Sequence, residues 1–226
     1  MGRAIYVSSV NGDDANSGYA PEKAFRSLRK VNQMEIQPGD QILLERGSVF
    51  AGEYLHLYKG GTKEAPVVVD AYGEGALPRI EADGNGIWYQ NYGGHLDNVV
   101  HTWKGYLSSA VLLYDAEYIT VRNLEITNDP LVKNERMNQA DRMNRTGVSV
   151  IAQNHGTLHQ IELAYLYVHD VEGNIYDKHL NNGGIYMSVS RPDDEEKTGI
   201  ARYDGIHIHH CKVENCRRWG IAAGYT

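Results

Sequence analysis

Three short segments rich in arginine and amide side chains could bind an anionic ligand. They read Asp141–Arg145, Asp177–Asn182 and Arg217–Trp219, and each lies just before a strand-like segment led by glycine. If successive repeats place these segments at one rim, Arg145, Asn182 and Arg218 stack there. A guanidinium binds a carboxylate through two parallel hydrogen bonds, so such a rim suits a polyuronate. The alternative is that these are solvated turn charges.

The same rim carries groups that could perform chemistry. Elimination beside a uronate needs a base at the α-carbon and neutralisation of the carboxylate. Lys178 or His179 could supply the base, and Arg218 is the third catalytic candidate. A glycoside hydrolase would instead need two carboxylic acids about 5 to 10 Å apart. The predicted outward residues of the glycine-led strands include no carboxylate; they are Ser149, Tyr186, Ser188 and Ala222.

Aromatic side chains form a second binding candidate. The segment from Trp88 to Tyr106 holds four tyrosine or histidine rings between its two tryptophans and lies outside the strand pattern. Clustered rings outside a core suit stacking against sugars. Trp88 and Trp103, with Tyr186 and Trp219 near the rim, are therefore predicted to contact substrate, and Arg145 and Asn182 to bind it through polar groups. The alternative is an ordered loop that packs on its own aromatics.

A repeat identifies the elements that must position these residues. Strand-like segments begin at Ala110, Gly147, Gly184 and Gly220, which are 37, 37 and 36 residues apart. Between them, three eight-residue segments are apolar at positions one, three, six and eight. Alternation within a strand directs both apolar pairs inward and leaves a two-residue bend between them. The apolar residues of a helix would be spaced differently along the segment. The apolar residues are Ile119, Val121, Leu124 and Ile126; Ile161, Leu163, Leu166 and Val168; and Ile206, Ile208, Cys211 and Val213.

This repeat predicts an all-β fold, a right-handed parallel β-helix in which three sheets form a solenoid around an apolar core. One domain would span 1–226. An N-terminal strand, a loop and a short capping helix over Pro21–Met34 would occupy 1–38, and coils would occupy 39–226. Residues beyond those needed for the strands and corners of the coils are assigned to inserted loops at 88–106, 129–146, 171–182 and 190–203.

The last coil is expected to be open. Residues 220–226 begin a new coil and no polar cap follows, so an apolar strand edge would face water. We therefore expect a truncated chain whose end is covered either by a missing C-terminal segment or by a second chain.

Composition narrows the partners. The formal charge of −7 argues against nucleic acid, and no apolar run is long enough to suggest a membrane span. The two cysteines form neither a disulfide framework nor a zinc motif. His207, His209 and His210 alternate with inward residues or lie on a bend, so no metal site and no cofactor are predicted. Calcium is conceivable, but no cluster of acidic ligands supports it.

The segments "YVSSVNGDDANSGYAPEKAFRSLRKVN", "PGDQILLERGSVFAG" and "APVVVDAYGEGALPRIEADG" resemble the N-terminal region of pectate-lyase-like right-handed β-helix proteins. Because members are mostly secreted bacterial polysaccharide lyases and glycoside hydrolases, the resemblance implies a secreted protein whose signal peptide has been removed. It also implies a polysaccharide partner, bound in a groove along the glycine-led strands.

Two classes of function stay open at this point. One is an enzyme that degrades an acidic polysaccharide by β-elimination or by glycoside hydrolysis. The other is a non-catalytic carbohydrate-binding or adhesive β-helix protein, for which the aromatic segment would suffice. Fold alone does not separate them.

Overall fold

A computed structural model describes residues 2–91, 104–129, 143–174 and 181–224. The described part is all-β with little helix. The strands are β1 (Ala4–Val7), β2 (Gln41–Glu45), β3 (Val49–Ala51), β4 (Leu55–Leu57), β5 (Val67–Tyr72), β6 (Arg79–Glu81), β7 (Ile87–Asn91), β8 (Lys104–Tyr114), β9 (Ile119–Arg122), β10 (Glu125–Asn128), β11 (Asn144–Ala152), β12 (Thr157–Ala164), β13 (Tyr167–Val171), β14 (Gly183–Val189), β15 (Arg202–His209), β16 (Lys212–Cys216) and β17 (Ile221–Gly224).

These strands form three sheets that the chain visits in turn. The first sheet has the order β1-β2-β5-β9-β12-β15, the second β16-β13-β10-β6-β3 and the third β17-β14-β11-β8-β4. Pairing along each of these paths is parallel, and β7 adds to β8 as an antiparallel partner. Each sheet therefore gains one strand whenever the chain completes a circuit, which is the organisation of a solenoid.

Apolar residues stack from coil to coil inside the three sheets. In the first sheet the stack is continuous across six paired strands, and it consists of Ile5, Ile42, Val69, Val121, Leu163 and Ile208. The equivalent stack in the second sheet is Phe50, Ile80, Ile126, Val168 and Val213. The inward residues predicted for the first two eight-residue segments are buried, and those of the third are partly buried.

The predicted two-residue bend is present in all three copies. Asn123, Tyr165 and His210 hold it with φ angles of 58°, 52° and 52°. Such left-handed backbone is unfavourable for residues other than glycine, asparagine and aspartate. Neighbouring side chains support it: Asn123 donates to Asp70 at 2.7 Å, and the ring of Tyr165 stacks on His210 with 4.8 Å between centroids.

The predicted capping helix is broken into two pieces. A 3₁₀ turn spans Pro21–Lys23 and α1 spans Leu28–Asn32. Between them Phe25 forms a bridge with Val7, and the Asp14 carboxylate accepts hydrogen bonds from the amides of Arg26 and Ser27 at 2.9 Å each. These contacts occupy the backbone groups that a continuous helix would use. Phe25, Leu28 and Val31 nevertheless join the core, as their spacing predicted.

The loops differ from the predicted insertions at their ends. Residues 88–91 and 104–106 lie in β7 and β8, and 144–146 lie in β11. The segment 190–203 includes a second short helix, α2 (Glu195–Thr198). Residues 130–142 and 175–180 lie outside the described part. Within the described ranges, neither helix has the length and hydropathy that crossing a membrane requires.

Side chains and loop backbone cover the strand edges at the first coil. β1 pairs with the Gly18–Phe25 segment, through Tyr6 N–H to the Gly18 carbonyl at 2.7 Å and Phe25 N–H to the Tyr6 carbonyl at 2.9 Å. At β4, Asn32 acts like a strand residue, since its Nδ2 donates to the Tyr54 carbonyl at 2.8 Å and its Oδ1 accepts from His56 N–H at 2.9 Å. Edge groups satisfied in this way do not invite pairing with another chain.

We expect Asn32→Leu to lower the free energy of unfolding by about 1–3 kcal/mol, because both edge groups of β4 lose their partner. Asn32→Asp, which keeps the acceptor for His56 N–H but loses the donor to Tyr54, should cost less. Urea denaturation followed by circular dichroism measures both values. Equal stability of Asn32→Leu and the unmodified protein would contradict a role in edge protection.

Candidate active site

The outer face of the third sheet holds a compact cluster of hydroxyl groups. Thr146 Oγ1 lies 2.7 Å from Ser109 Oγ and 2.8 Å from Ser149 Oγ, and the two serine oxygens are 3.0 Å apart. All three side chains are fully buried. Buried hydroxyl groups that satisfy one another in this way fix the positions of the strands that carry them.

Trp88 covers this cluster and does not project into solvent. Its indole Nε1 donates to Ser109 Oγ at 2.8 Å, and its side chain packs with Leu107, Leu112 and Ile151. The sequence predicted Trp88 in an exposed loop, whereas the structure places it in β7 and leaves it 7% exposed. The hairpin with β8 explains the difference, because it turns the ring onto the sheet and gives the indole N–H a partner.

A line of amides continues along the rim beside β7, β11 and β14. Gln90 Nε2 donates to Asn181 Oδ1 at 3.3 Å, and Asn181 N–H donates to Gln90 Oε1 at 3.2 Å. The neighbouring Asn182 accepts from Arg145 N–H at 3.2 Å. A Cβ atom at Gly173 would come within 1.8 Å of Asn182 Oδ1, so only glycine fits against this line. The predicted contact between the Arg145 and Asn182 segments is thus present.

The arginines of the rim are occupied by protein groups. Arg145 Nη1 donates to the Glu172 carbonyl at 2.9 Å and to the Met143 carbonyl at 3.3 Å. Arg217 Nε binds the Glu172 carboxylate at 3.0 Å. Glu172 therefore joins two coils through its backbone and its side chain, and these arginines position the rim.

Trp219 and Arg218 lie one coil further on. The Trp219 carbonyl accepts from Gly184 N–H at 2.9 Å, and the Arg218 guanidinium lies 5.5 Å from the centre of the Trp219 ring. Trp219 is 45% exposed, so its ring is available to a ligand. Arg218 has a φ angle of 74°.

Tyr186 faces outward from β14, as alternation predicts, but it is only 7% exposed. A Cβ atom at Gly224 would come within 2.6 Å of the Tyr186 ring, so the backbone of β17 lies against it. Of the other predicted site residues, Lys178 and His179 (catalytic) and Trp103 (substrate binding) lie outside the described residues.

Three carboxylic acids occupy equivalent positions in successive coils at the corner between the second and third sheets. Thr127 pairs with Glu81, and Asn128 pairs with Val171, so the residues that follow these strands, Asp83, Asp129 and Glu172, fall in one column. Neighbouring strands are about 4.8 Å apart. The backbones of adjacent members are thus about 5 Å apart and those of the outer two about 10 Å.

The second acid of this column influences the first. Burial raises the pKa of the Asp83 carboxyl, and the negative charge of Asp129 raises it further, although the Gly52 amide opposes this by donating at 3.1 Å. Asp83 and Asp129 are therefore close enough to interact.

A further acid, Asp170, stands on the second sheet beside the column. His169 lies between two carboxylates, with Nδ1 2.7 Å from Asp170 Oδ2 and Nε2 3.0 Å from Glu125 Oε1, and its ring stacks on Tyr167 at 4.1 Å. Asp170 also accepts a short hydrogen bond from Asn215 Nδ2.

The outward residues predicted for the glycine-led strands include no acid, so the sequence did not point to this corner. The available signal was the polar residue that follows each second-sheet strand. Equal spacing along the two strands would align Asn128 with Asp170, but the register shifts between Ile126 and Asn128, and Asn128 pairs instead with Val171. Asn128 turns into the corner, where its Nδ2 donates to Ser108 Oγ at 3.0 Å and to the Thr146 carbonyl at 2.9 Å.

The described histidines and acids do not form a metal centre. Within residues 2–91, 104–129, 143–174 and 181–224, no group of three or more His, Cys, Asp or Glu side chains is placed to hold an ion. His209 binds Glu162 at 2.9 Å through Nε2 and lies 2.8 Å from His210 through Nδ1, so both of its nitrogens are occupied.

Along its whole length the chain is similar to glycoside hydrolases. These are lacto-N-biosidases. The chain is 39% identical over 257 aligned positions to Lacto-N-biosidase of Bifidobacterium longum subsp. longum, covering 100% of this chain and 16% of that relative. It is 56% identical, with a TM-score of 0.94, to the crystal structure of the selenomethionine derivative of GH136 lacto-N-biosidase from Eubacterium ramulus. The native crystal structure of that enzyme gives 54% identity and a TM-score of 0.93.

The chain spans only part of these relatives. The match to the selenomethionine derivative includes 100% of this chain but 36% of the Eubacterium ramulus chain. The match to the native structure includes 99% of this chain and 36% of that one. No protein-family model matches the sequence.

A buried histidine of β4, the edge strand of the third sheet, contacts the backbone of Ser109 in the hydroxyl cluster. His56 in β4 is 7% exposed, and its Nε2 lies 2.9 Å from the Ser109 carbonyl, so this nitrogen carries the proton. Burial lowers the pKa of His56 to about 4, from an ordinary value of 6.5. The side chain is therefore neutral in the folded protein at neutral pH.

We expect His56 to make folding sensitive to acid. Because its folded pKa lies below its unfolded pKa, its full contribution is present above about pH 6.5 and is lost as the pH falls towards 4, by roughly 3 kcal/mol. His56→Gln keeps an N–H donor but cannot titrate, so its unfolding free energy should fall less between these pH values. Urea denaturation at intervals from pH 7 to pH 4 makes the comparison, and identical pH profiles would refute the assignment.

Proposed function

We propose that this chain forms part of a glycoside hydrolase that releases a disaccharide, lacto-N-biose, from an oligosaccharide. The observation that carries this proposal is the similarity to GH136 lacto-N-biosidase, at 56% identity over 100% of the chain. Hydrolysis is one of the two reactions that the sequence left open, and the named relatives favour it over elimination.

The corner of the second and third sheets supplies the chemistry in this proposal. Asp129, Asp170 and Glu172 stand there on adjacent coils, and the amides of the rim lie beside them. One carboxylic acid would protonate the glycosidic oxygen while a second would act as base or nucleophile. The amides of Gln90 and Asn182 are buried and bind other protein groups, so they hold the rim beside these acids in place.

The charges of this corner favour a neutral ligand over a polyuronate. Arg145 donates to backbone carbonyls and Arg217 neutralises Glu172, so these two guanidinium groups are already engaged by protein oxygens. The carboxylate column would also repel a uronate. We therefore place a neutral oligosaccharide in the site, in contrast to the acidic polysaccharide expected from the sequence.

Two finer assignments accompany this proposal. We assign the solenoid to the right-handed parallel β-helix class, because parallel crossovers are right-handed in nearly all proteins. We also propose secretion, since hydrolysis of an oligosaccharide taken from the surroundings requires access to it.

Neutralising the acids tests the proposed chemistry. In the full-length protein we expect at least two of the variants Asp129→Asn, Asp170→Asn and Glu172→Gln to lower kcat by 100-fold or more, the usual range for loss of an acid or base. The assay is release of 4-nitrophenol from a 4-nitrophenyl glycoside of lacto-N-biose.

Asp204→Asn is the matched control, because Asp204 is 73% exposed on the first sheet, where its carboxylate lies 3.1 Å from His159 Nδ1. It should leave kcat within twofold. Activity within threefold of the unmodified protein in all three site variants would place the catalytic acids elsewhere. Binding of oligosaccharide without turnover in the unmodified protein would favour the carbohydrate-binding alternative.

We also propose that a further strand layer covers the last coil, from a following segment of a longer protein or from a second chain. The inward side chains of Ile208 and Val213 in the last coil are only partly buried, and Ile221 is 50% exposed. Exposed apolar strands associate.

We therefore expect the 226-residue chain on its own to associate in light scattering, and the double variant Ile208→Glu with Ile221→Glu to associate less. A stable monomer at every concentration would argue against an open edge.

A further inference from the structure

A groove that shares no residue with the corner described above lies beside the first coil. Its volume is about 440 Å³, within the range of small-ligand sites. One wall is formed by Ile36, Gln37 and Pro38, the floor by residues 59–61, and the other wall by Asp115, Glu117 and His155. Tyr58 stands at the end of the floor.

Tyr58 presents an aromatic face to this groove. It is the first residue after β4 and is 58% exposed. Its ring centre lies 6.0 Å from that of Tyr114 and 6.5 Å from that of His56, and these two rings hold it from the sheet side. A supported aromatic ring with a free face is suited to the apolar face of a pyranose, because its body is apolar and its hydroxyl reaches water.

Two of the three floor residues are glycines, which brings this backbone close to its neighbours. A Cβ atom at Gly60 would lie 1.8 Å from the Glu117 carbonyl oxygen, and one at Gly61 would lie 2.3 Å from the Ala65 carbonyl oxygen. Gly61 N–H donates to the Glu117 carbonyl at 2.9 Å, which fixes the two sides of the groove to each other. The two glycines therefore let the floor pack closely against the backbone of Glu117 and Ala65, while Lys59, the third floor residue, pairs with Glu35 at 2.7 Å.

The polar wall is held in place before a ligand arrives. Asp115 accepts from the amides of Gln153 at 2.7 Å and Asn154 at 2.9 Å. Glu117 accepts from His159 N–H at 3.1 Å and contacts His155 Nε2 at 3.1 Å. An ionised carboxylate has about four acceptor positions, so both acids keep capacity for sugar hydroxyl groups.

We propose that this groove is a second, non-catalytic binding site for a neutral oligosaccharide, with Tyr58 as the stacking platform and Asp115 and Glu117 as hydroxyl acceptors. Two fixed carboxylates on one wall disfavour a polyuronate. The site goes beyond the proposed hydrolysis, because it would hold a glycan chain on the protein without acting on it.

Binding of lacto-N-biose and of polygalacturonate to the full-length protein, measured by saturation-transfer difference NMR and titration, tests the proposal. We expect Tyr58→Ala to weaken a lacto-N-biose binding event at least fivefold while kcat on the 4-nitrophenyl glycoside stays within twofold. Tyr58→Phe keeps the ring and should bind as the unmodified protein does.

Tyr165→Ala is the control for loss of an exposed tyrosine, since Tyr165 is 50% exposed at a different corner, and it should leave binding unchanged. Three outcomes would overturn the proposal: unaltered binding in Tyr58→Ala, tighter binding of polygalacturonate than of lacto-N-biose, or a tenfold loss of turnover in Tyr58→Ala. Binding is measured independently of turnover, so an inactive protein that still binds through Tyr58 would refute only the proposed hydrolysis.

Discussion

Contact between inward apolar residues of successive coils is the constraint on which the rest of this structure depends. Each stacked residue, such as Val121 between Val69 and Leu163, can pair only with the equivalent residue of the coil above and below. A shift of one residue would turn every inward side chain outward. Because the inward contacts fix the register of the strands, outward residues and corner residues also fall into columns. A column can therefore bring together side chains of the same type from distant parts of the sequence.

The acid column shows what this constraint does for chemistry. Asp83, Asp129 and Glu172 lie far apart in the chain, yet the strand spacing sets the separations of their backbones at multiples of about 4.8 Å. Each acid lies within two residues of the end of a strand, so strand pairing limits where its backbone can lie. Arg217 follows in the same column and pairs with Glu172 at 3.0 Å, so the column ends in a compensating charge.

The sequence predicted those parts of the fold that follow from alternation within strands. The inward pattern of Ile161, Leu163, Leu166 and Val168, and the bend before Leu166, could be read directly because spacing alone determines them. The fate of Trp88 could not be predicted, since it depends on an antiparallel hairpin that joins it to Ser109. The corner acids were missed for a similar reason: the register shift after Ile126 depends on Asn128 turning inward, which no local pattern reveals. The roles assigned to Arg218, Lys178 and His179 remain predictions.

The closed edges of the first coil have a consequence for assembly. A head-to-tail fibre needs two complementary ends on every molecule, and here Asn32, together with the Gly18–Phe25 segment, occupies the hydrogen-bonding groups of one end. Backbone groups that are already bonded at this edge cannot pair with an edge strand of a second molecule. Two hydrogen bonds from one asparagine side chain thus help to prevent head-to-tail growth from the first coil.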